Sequence, residues 1–275
     1  LCLLGAVLLW LLLILLPAPS SIRAENEVES EITAGAAGDS CRKLDIPFAS
    51  VEVDSTFPDL VIDAFGTGEY LKFEIGYGFI KAAVAEIRVD SLFSYRNRDC
   101  YMISTTANSY PFFDKFYKVR DRGETWFDAF GLFPWHFEKH LREGGYKADV
   151  VQEFDQYRGL ATEDGDTVMV TGRIQDVLSS LFFVRTVDLK VGDTISIGNF
   201  TKKRCYTLRV IVHARETIKV EAGEFTCLKV EPHEGQLTVW LTDDRLKLPV
   251  LMKSKVIVGS ITAELIEYRL GELLE

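Results

Sequence analysis

Along "YTLRVIVHARETIKV", Tyr206, Leu208, Val210, Val212 and Ala214 fall on one side, and Arg209, His213 and Arg215 on the other. A period of two predicts a half-buried antiparallel strand. Strand signals recur in "DCYMISTTANSY", "DTVMVTGRI", "TISIGNF", "FTCLKVEP", "QLTVWL", "VLMKSKVIV" and "SITAELIEY". "EYLKFEIGYGFIKAAVAEIRVDSLF" holds two β-rich runs around the Gly76–Gly78 break, and Gly223 in "VEAGEF" stands where a hairpin turn needs positive φ.

One segment departs from the period of two. "QDVLSSLFFVRTVDL" opens with Asp176 as a helix N-cap, followed by Leu178, Leu181, Phe182 and Val184 or Arg185 at helical spacing. It predicts a helix packed on a sheet. "FPWHFEKHLREGG" fits either a second short helix or a strand with alternating aromatics.

A faint duplication runs through the chain. "GEYLKFEIGYG" near Gly68 is echoed by "GDTISIGNFTK" near Gly192, and "TWFDAFGLFPWHFEK" by "TVWLTDDRLKLPVLMK". Asp128 precedes Pro134 by six residues, as Asp243 precedes Pro249. Asp bonds its own backbone in turns, and Pro is tolerated at the first position of a strand. Asp128, Pro134, Asp243, Asp244 and Pro249 are therefore read as structural turn residues, not as a catalytic set. The fold class expected is mostly β: a large antiparallel curved or barrel-like sheet from two loosely related halves, with one or two packed helices. The β-rich domain is expected over 57–275, with halves at about 57–160 and 190–275 and a helical link at about 176–189.

The start of the chain has a different character. An apolar run from Leu1 to Leu16, followed by small residues, reads as a secretory signal peptide over 1–24. A membrane span would need about 20 apolar residues. The chain starts without Met, and the basic opening of the signal is expected upstream of Leu1. Residues 25–56 mix acidic and small residues and read as a flexible arm. Export agrees with Cys41, Cys100, Cys205 and Cys227, which allow three disulfide pairings and include no CxxC. A net charge of −10 repels phosphate backbones and argues against nucleic acid as a partner.

Motifs for chemistry are sparse. His136, Glu138 and His140 in "HFEKH" would share one face of a strand, but the order is not that of zinc proteases and no third ligand is proposed nearby. Ser179 and Ser180 stand outside any G-x-S-x-G elbow, and no phosphate-cradling glycine loop occurs. "NFT" at Asn199 fits a glycosylation triplet that arises often by chance. No catalytic residue, metal or cofactor is assigned. The aromatics of "TWFDAFGLFPWHF" and "SSLFFV" imply a sheet with apolar side chains on both faces, so its second face needs a cover. Trp126, Phe133, Trp135, Phe182, Phe183 and Trp240 are the residues expected to line an apolar ligand.

"GEYLKFEIGYGFIKAAVAEI", "QDVLSSLFFVRTVDLKVGDTI", "VEAGEFTCLKVEP" and "LTVWLTDDRLKLPVLMKSKVIVGSITAEL", in this order, resemble the bacterial domain-of-unknown-function 3108 family, over roughly residues 65–268. Ala83 stands where that family commonly has glycine. The resemblance implies an exported β protein and carries over no catalytic residues. The last 30 residues or so are also similar in pattern to the hairpins of periplasmic lipoprotein carriers, half-open β-barrels that hold acyl chains under a helical lid. The function expected is a non-catalytic envelope protein binding a lipid or acyl chain, periplasmic or outer-envelope associated in a Gram-negative bacterium. The alternatives are an assembly factor whose partner is an envelope protein, and a hydrolase using carboxylates such as Asp128 and Asp243.

Overall fold

The computed structural model describes residues 41–43, 60, 62–233, 235–256 and 259–274. The segment expected to be a signal peptide, 1–24, and most of the expected arm, 25–56, lie outside the described residues. Within the stretch expected to be an arm, Cys41–Lys43 form strand β1. The first half then runs through β2 (Tyr70–Tyr77), β3 (Ile80–Tyr95), β4 (Arg98–Ser109), a one-turn helix α1 (Pro111–Asp114), β5 (Arg120–Asp128), β6 (Pro134–Glu143) and β7 (Tyr146–Asp155). Two short strands follow, β8 (Leu160–Glu163) and β9 (Asp166–Val170), and then helix α2 (Val177–Arg185). The second half is β10 (Thr194–Thr201), β11 (Arg204–Val220), β12 (Gly223–Pro232), β13 (Leu237–Thr242), β14 (Pro249–Lys255) and β15 (Ser260–Arg269). "PWHFEKHLRE" is thus strand β6. α2 ends at Arg185, short of the expected 189, because Thr186 turns its N–H back onto Phe183 and Val184.

Every strand pairs antiparallel with its neighbours, in the order β1-β9-β8-β7-β6-β5-β4-β3-β2-β15-β14-β13-β12-β11-β10. Leu71, Phe73 and Ile75 of β2 are buried while Tyr70, Lys72 and Glu74 stay half-buried. Burying each such large apolar side chain is worth about 1.5–3 kcal/mol. This inner face, repeated around the sheet, curls over a single main core that includes α2.

The two halves repeat each other in detail. The Gly68 N–H donates to the Val89 carbonyl, and the Val89 N–H to the Glu69 carbonyl; Gly192, Val212 and Asp193 make the same pair of bonds. Both glycines have positive φ, +88° and +97°. Bulges interrupt β3 between Val89 and Ser91, and β11 between Val212 and Ala214. A second pair of bulges lies where Trp126 and Phe127 face β6, and where Trp240 and Leu241 face β14. Cys100 lies opposite Asp128 and Cys227 opposite Thr242, and each thiol donates to the carbonyl two residues before it. Both cysteines are free and buried, whereas Cys205 is disulfide-bonded, to a partner outside the described side chains.

The repeat also shows where the barrel is incomplete. β2, the first strand of one half, pairs with β15, the last of the other. The matching pair, β7 with β10, does not form. β7 turns instead to β8, and the free edge of β10 is taken by Gln175, whose N–H donates to Gly198 and whose carbonyl accepts from Phe200, both at 2.8 Å. Phe154 of β7 and Phe200 of β10 meet edge to face at 6.0 Å, so the two edges approach without bonding. α2 follows Gln175 directly and fills the seam.

α2 is buried almost all round, only Phe183 staying half-buried. Such a helix belongs inside a core. Its last residue, Arg185, is 0% exposed and forms a bidentate pair with the buried Glu69 at 2.7 and 2.8 Å. The same guanidinium donates to the Ala64 and Leu246 carbonyls at 3.0 and 3.1 Å. Removing one partner strands a buried charge. Arg185→Met should lower unfolding free energy by roughly 3–5 kcal/mol, read from urea denaturation. Adding Glu69→Met should recover part of that loss, whereas additive losses would show that the pair is not coupled.

Candidate functional site

The helix that plugs the seam also leaves a space beside it. Ser180, Leu181 and Val184 of α2 face Leu208 and Val210 of β11, Val230 and Pro232 of β12, and Leu237, Val239 and Leu241 of β13 across a cleft of about 400 Å³. That space includes open solvent at the mouth of the cleft. Alternation explains the lining: Leu208 and Val210, and Val239 and Leu241, are two residues apart and so point to the same face of their strands.

One hydroxyl reaches this cleft, and it is already committed. Ser180 Oγ donates to the Asp176 carbonyl at 2.8 Å and accepts from Asn199 Nδ2 at 2.6 Å. These bonds belong to a buried network that fixes the start of α2. Asp176 caps the helix by accepting from the Leu178 and Ser179 N–H groups at 2.7 and 2.9 Å, and its own N–H donates to Ser179 Oγ. Thr125 Oγ1 of β5 donates to the other carboxylate oxygen at 2.7 Å. The network therefore spans the seam from β5 to β10. Burial pushes the Asp176 carboxyl up to about 6, against the opposing pull of the Ser179, Thr125 and Leu178 hydrogen bonds. Asn199, read from sequence as a glycosylation triplet, is wholly buried here and holds α2.

The six residues expected to line a ligand lie elsewhere. Phe182 is on the helix but packs edge-on against Phe65 at 4.8 Å, within the core. Phe183 packs against the core from a half-buried position. Phe133 and Trp135 bury on the outer face of the sheet, where Cys100, Phe93, Tyr95 and Tyr157 surround them. Trp126 stands beside them, 5.4 Å from Phe93 and 5.2 Å from Tyr95. Trp240 lies on the outer face of the second half with Cys227, Val250, Ile218 and Phe225. In each half a long hairpin, β3–β4 or β11–β12, bends back over the sheet and supplies the cover that an apolar second face requires.

The turn residues are spoken for. Asp128 accepts from the Phe130 and Gly131 N–H groups at 3.1 and 2.6 Å, from Trp135 Nε1 at 2.9 Å and from Arg98. Asp243 pairs with Arg215 at 2.6 Å, and Asp244 accepts from the Leu246 and Lys247 N–H groups at 2.9 and 3.1 Å. Pro134 and Pro249 each open a strand. Asp128 and Asp243 thus occupy two separate turns, one per half, each held by its own arginine. His136, Glu138 and His140 share an outer face, with Glu153 and Asp149 bonded to the two imidazoles at 2.7 and 2.6 Å. Among the described residues, no three His, Cys, Asp or Glu side chains are grouped as a metal ion would require.

A second polar cluster faces the interior. Asp121 of β5 and Glu143 of β6 are both buried. Desolvation, reinforced by the Asp121 charge, pushes Glu143 up to about 8. Nearby on β6, burial lowers the Lys139 amino group to about 8. None of the three lines the cleft.

Residues 72–266 match the family described as protein of unknown function DUF3108. The chain belongs to that family. No curated protein matches it. Among solved structures, the DUF3108 chain is similar to a β-barrel-like protein of domain of unknown function DUF1849 from Brucella abortus, at 9% identity and TM-score 0.48, over 76% of this chain and 100% of that one. It is also similar to a candidate exported protein with a YmcC-like fold from Bacteroides fragilis, at 12% identity and TM-score 0.36, over 77% of this chain and 99% of the other. A candidate lipoprotein from Parabacteroides distasonis aligns at 11% identity and TM-score 0.35, over 77% and 100%.

Glu143 makes this DUF3108 fold sensitive to pH. Its carboxyl stays protonated in the folded state at a pH where the unfolded chain has released the proton, so stability falls as pH rises from about 4.5 to about 8. Glu143→Gln should flatten that slope and be the more stable form at the upper end. Urea melts across this range test it, and an unchanged slope would remove Glu143 as its source.

Proposed function

We propose that this protein is a non-catalytic exported envelope protein that holds an apolar ligand, such as a lipid or acyl chain, in the cleft between α2 and β11–β13. The observation that carries the reading is the cleft lining: aliphatic on both sides, with its one hydroxyl spent inside the protein. A polar substrate would find no group there to replace its lost water, and burying an unbonded polar group costs roughly 1–3 kcal/mol. A hydrocarbon chain has no polar group to desolvate on entering and gains about 0.8 kcal/mol per buried CH₂. The committed state of Asp128 and Asp243 supports the non-catalytic half of the reading, because general acid–base work needs two groups converging on one cleft.

Val239→Phe tests the reading by filling the cleft from β13. The variant should keep or raise its Tm, since it adds apolar contact to an open space, while binding of the fluorescent fatty acid cis-parinaric acid drops by at least tenfold. Extraction with organic solvent after purification from an export host should yield lipid from the wild type and little from the variant. Unchanged probe binding in a folded Val239→Phe protein would rule out this cleft as the ligand site. A wild type that carries no lipid and binds no probe would favour the assembly-factor reading.

A further inference from the structure

Most of the exposed aromatic side chains gather at one end of the sheet, Tyr268 standing at the other. Phe79, at the tip of the β2–β3 hairpin, is 97% exposed, and Phe112 and Phe116, in and after α1, are each 63% exposed. Ile80 and Tyr146 are exposed as well. Strands alternate in direction, so the β2–β3 turn, the β4–β5 connection carrying α1, and the β6–β7 turn lie on the same rim. Hydrogen bonds join the three: the Tyr110 N–H donates to the Ala82 carbonyl at 2.9 Å, and the Gly144 N–H to the Lys118 carbonyl at 2.8 Å. Phe112 stands edge-on to Phe113 and 5.7 Å from Phe116, so the α1 aromatics form one cluster. Leaving such side chains in water gains the fold nothing, and a contiguous exposed apolar patch marks an interaction surface.

The charge around that patch specifies the partner. Residues 78–81, 110–120 and 144–147 carry five cations and one anion; with Glu74 and Glu221, both paired with Lys81, the local charge is +2 in a chain whose net charge is −10. Asp114, the anion, is taken by Arg120, and Lys81 is paired with Glu74. Lys115, Lys118 and Lys147 are exposed, and no salt bridge engages them among the described residues. Exposed aromatics interleaved with unpaired lysines suit an anionic bilayer surface: rings enter the headgroup boundary while ammonium groups stay at the phosphates. A protein interface core would instead be depleted of lysine.

We infer that this rim, formed by Phe79, Phe112, Phe116, Lys115, Lys118 and Lys147, docks the protein on an anionic lipid surface. The surface is separate from the cleft, so docking stands or falls independently of the ligand proposed above.

The test places an environment-sensitive nitrobenzoxadiazole dye on the rim and far from it. Phe79→Cys carries the dye at the rim and Val191→Cys carries it at the opposite end; the buried Cys100 and Cys227 thiols do not compete. On vesicles of phosphatidylethanolamine with one-third phosphatidylglycerol, the rim dye should shift to the blue and brighten, and the Val191 dye should not. That contrast also separates docking by the rim from any attachment through the apolar N-terminal run. Lys115→Glu with Lys118→Glu should weaken the response about tenfold or more, as expected for charges near an anionic surface. Phe112→Ser with Phe116→Ser should weaken it similarly, and circular dichroism should confirm that the fold is kept. Equal responses on phosphatidylcholine vesicles, no response at the rim, or equal responses at both dye positions would each overturn the inference.

Discussion

α2 ends on a guanidinium shut off from solvent, and that group is neutralised by one buried carboxylate rather than by the surface. Glu69 supplies it, from the residue just before β2, while the Ala64 and Leu246 carbonyls take the remaining donors. An ion pair in this setting contributes little net stability but imposes one arrangement, because any shift of the helix leaves a charge unpaired. At the other end, Asp176 and Asn199 tie the first turn to β5 and β10. The helix is thereby fixed at both ends inside a barrel that does not close. Everything else follows from that placement: the free edge of β10 is satisfied by Gln175, and the concave face of the second half is left with a cleft along α2.

The internal repeat accounts for why there is a seam to fill. Each half begins at a glycine with positive φ, bends its longest hairpin at a bulge, and turns through an acidic loop into a strand that opens with proline. Two such halves joined head to tail close one junction, β2 with β15, and leave the other to the intervening chain. The bulges serve a second purpose. They fold each long hairpin back over the outside of the sheet, so that Trp135 and Trp240 are buried on the face that would otherwise be wet.

Much of this was legible in the residues. The period of two marked most strands, Asp176 announced the helix start, and the echo of Gly68 in Gly192 reflects the same pair of backbone hydrogen bonds. The site was less legible, for physical reasons. The cleft is lined by ordinary Leu and Val, and nothing in their local pattern separates a residue facing a space from one facing a neighbour. Aromatic residues drew attention because they are large, yet size favours burial wherever a cover exists. The extra residue in β6, Trp135, reverses the parity of that strand: Trp135 faces outward and Phe137, two residues on, faces the core. A bulge of one residue cannot be read from alternation alone. The seam itself depends on pairing between strands far apart in the chain, which no local signal carries.

The claim at the centre of this account is that the space between α2 and the second half is a binding site. Methyl NMR during titration with a saturated sixteen-carbon fatty acid tests it most directly. The account predicts chemical-shift changes at Leu181, Val184, Val210 and Val239, with contacts between the acyl chain and methyls on both walls of the cleft. Shifts confined to the outer face around Val250 and Leu251, or none at the cleft methyls at saturating fatty acid, would contradict it.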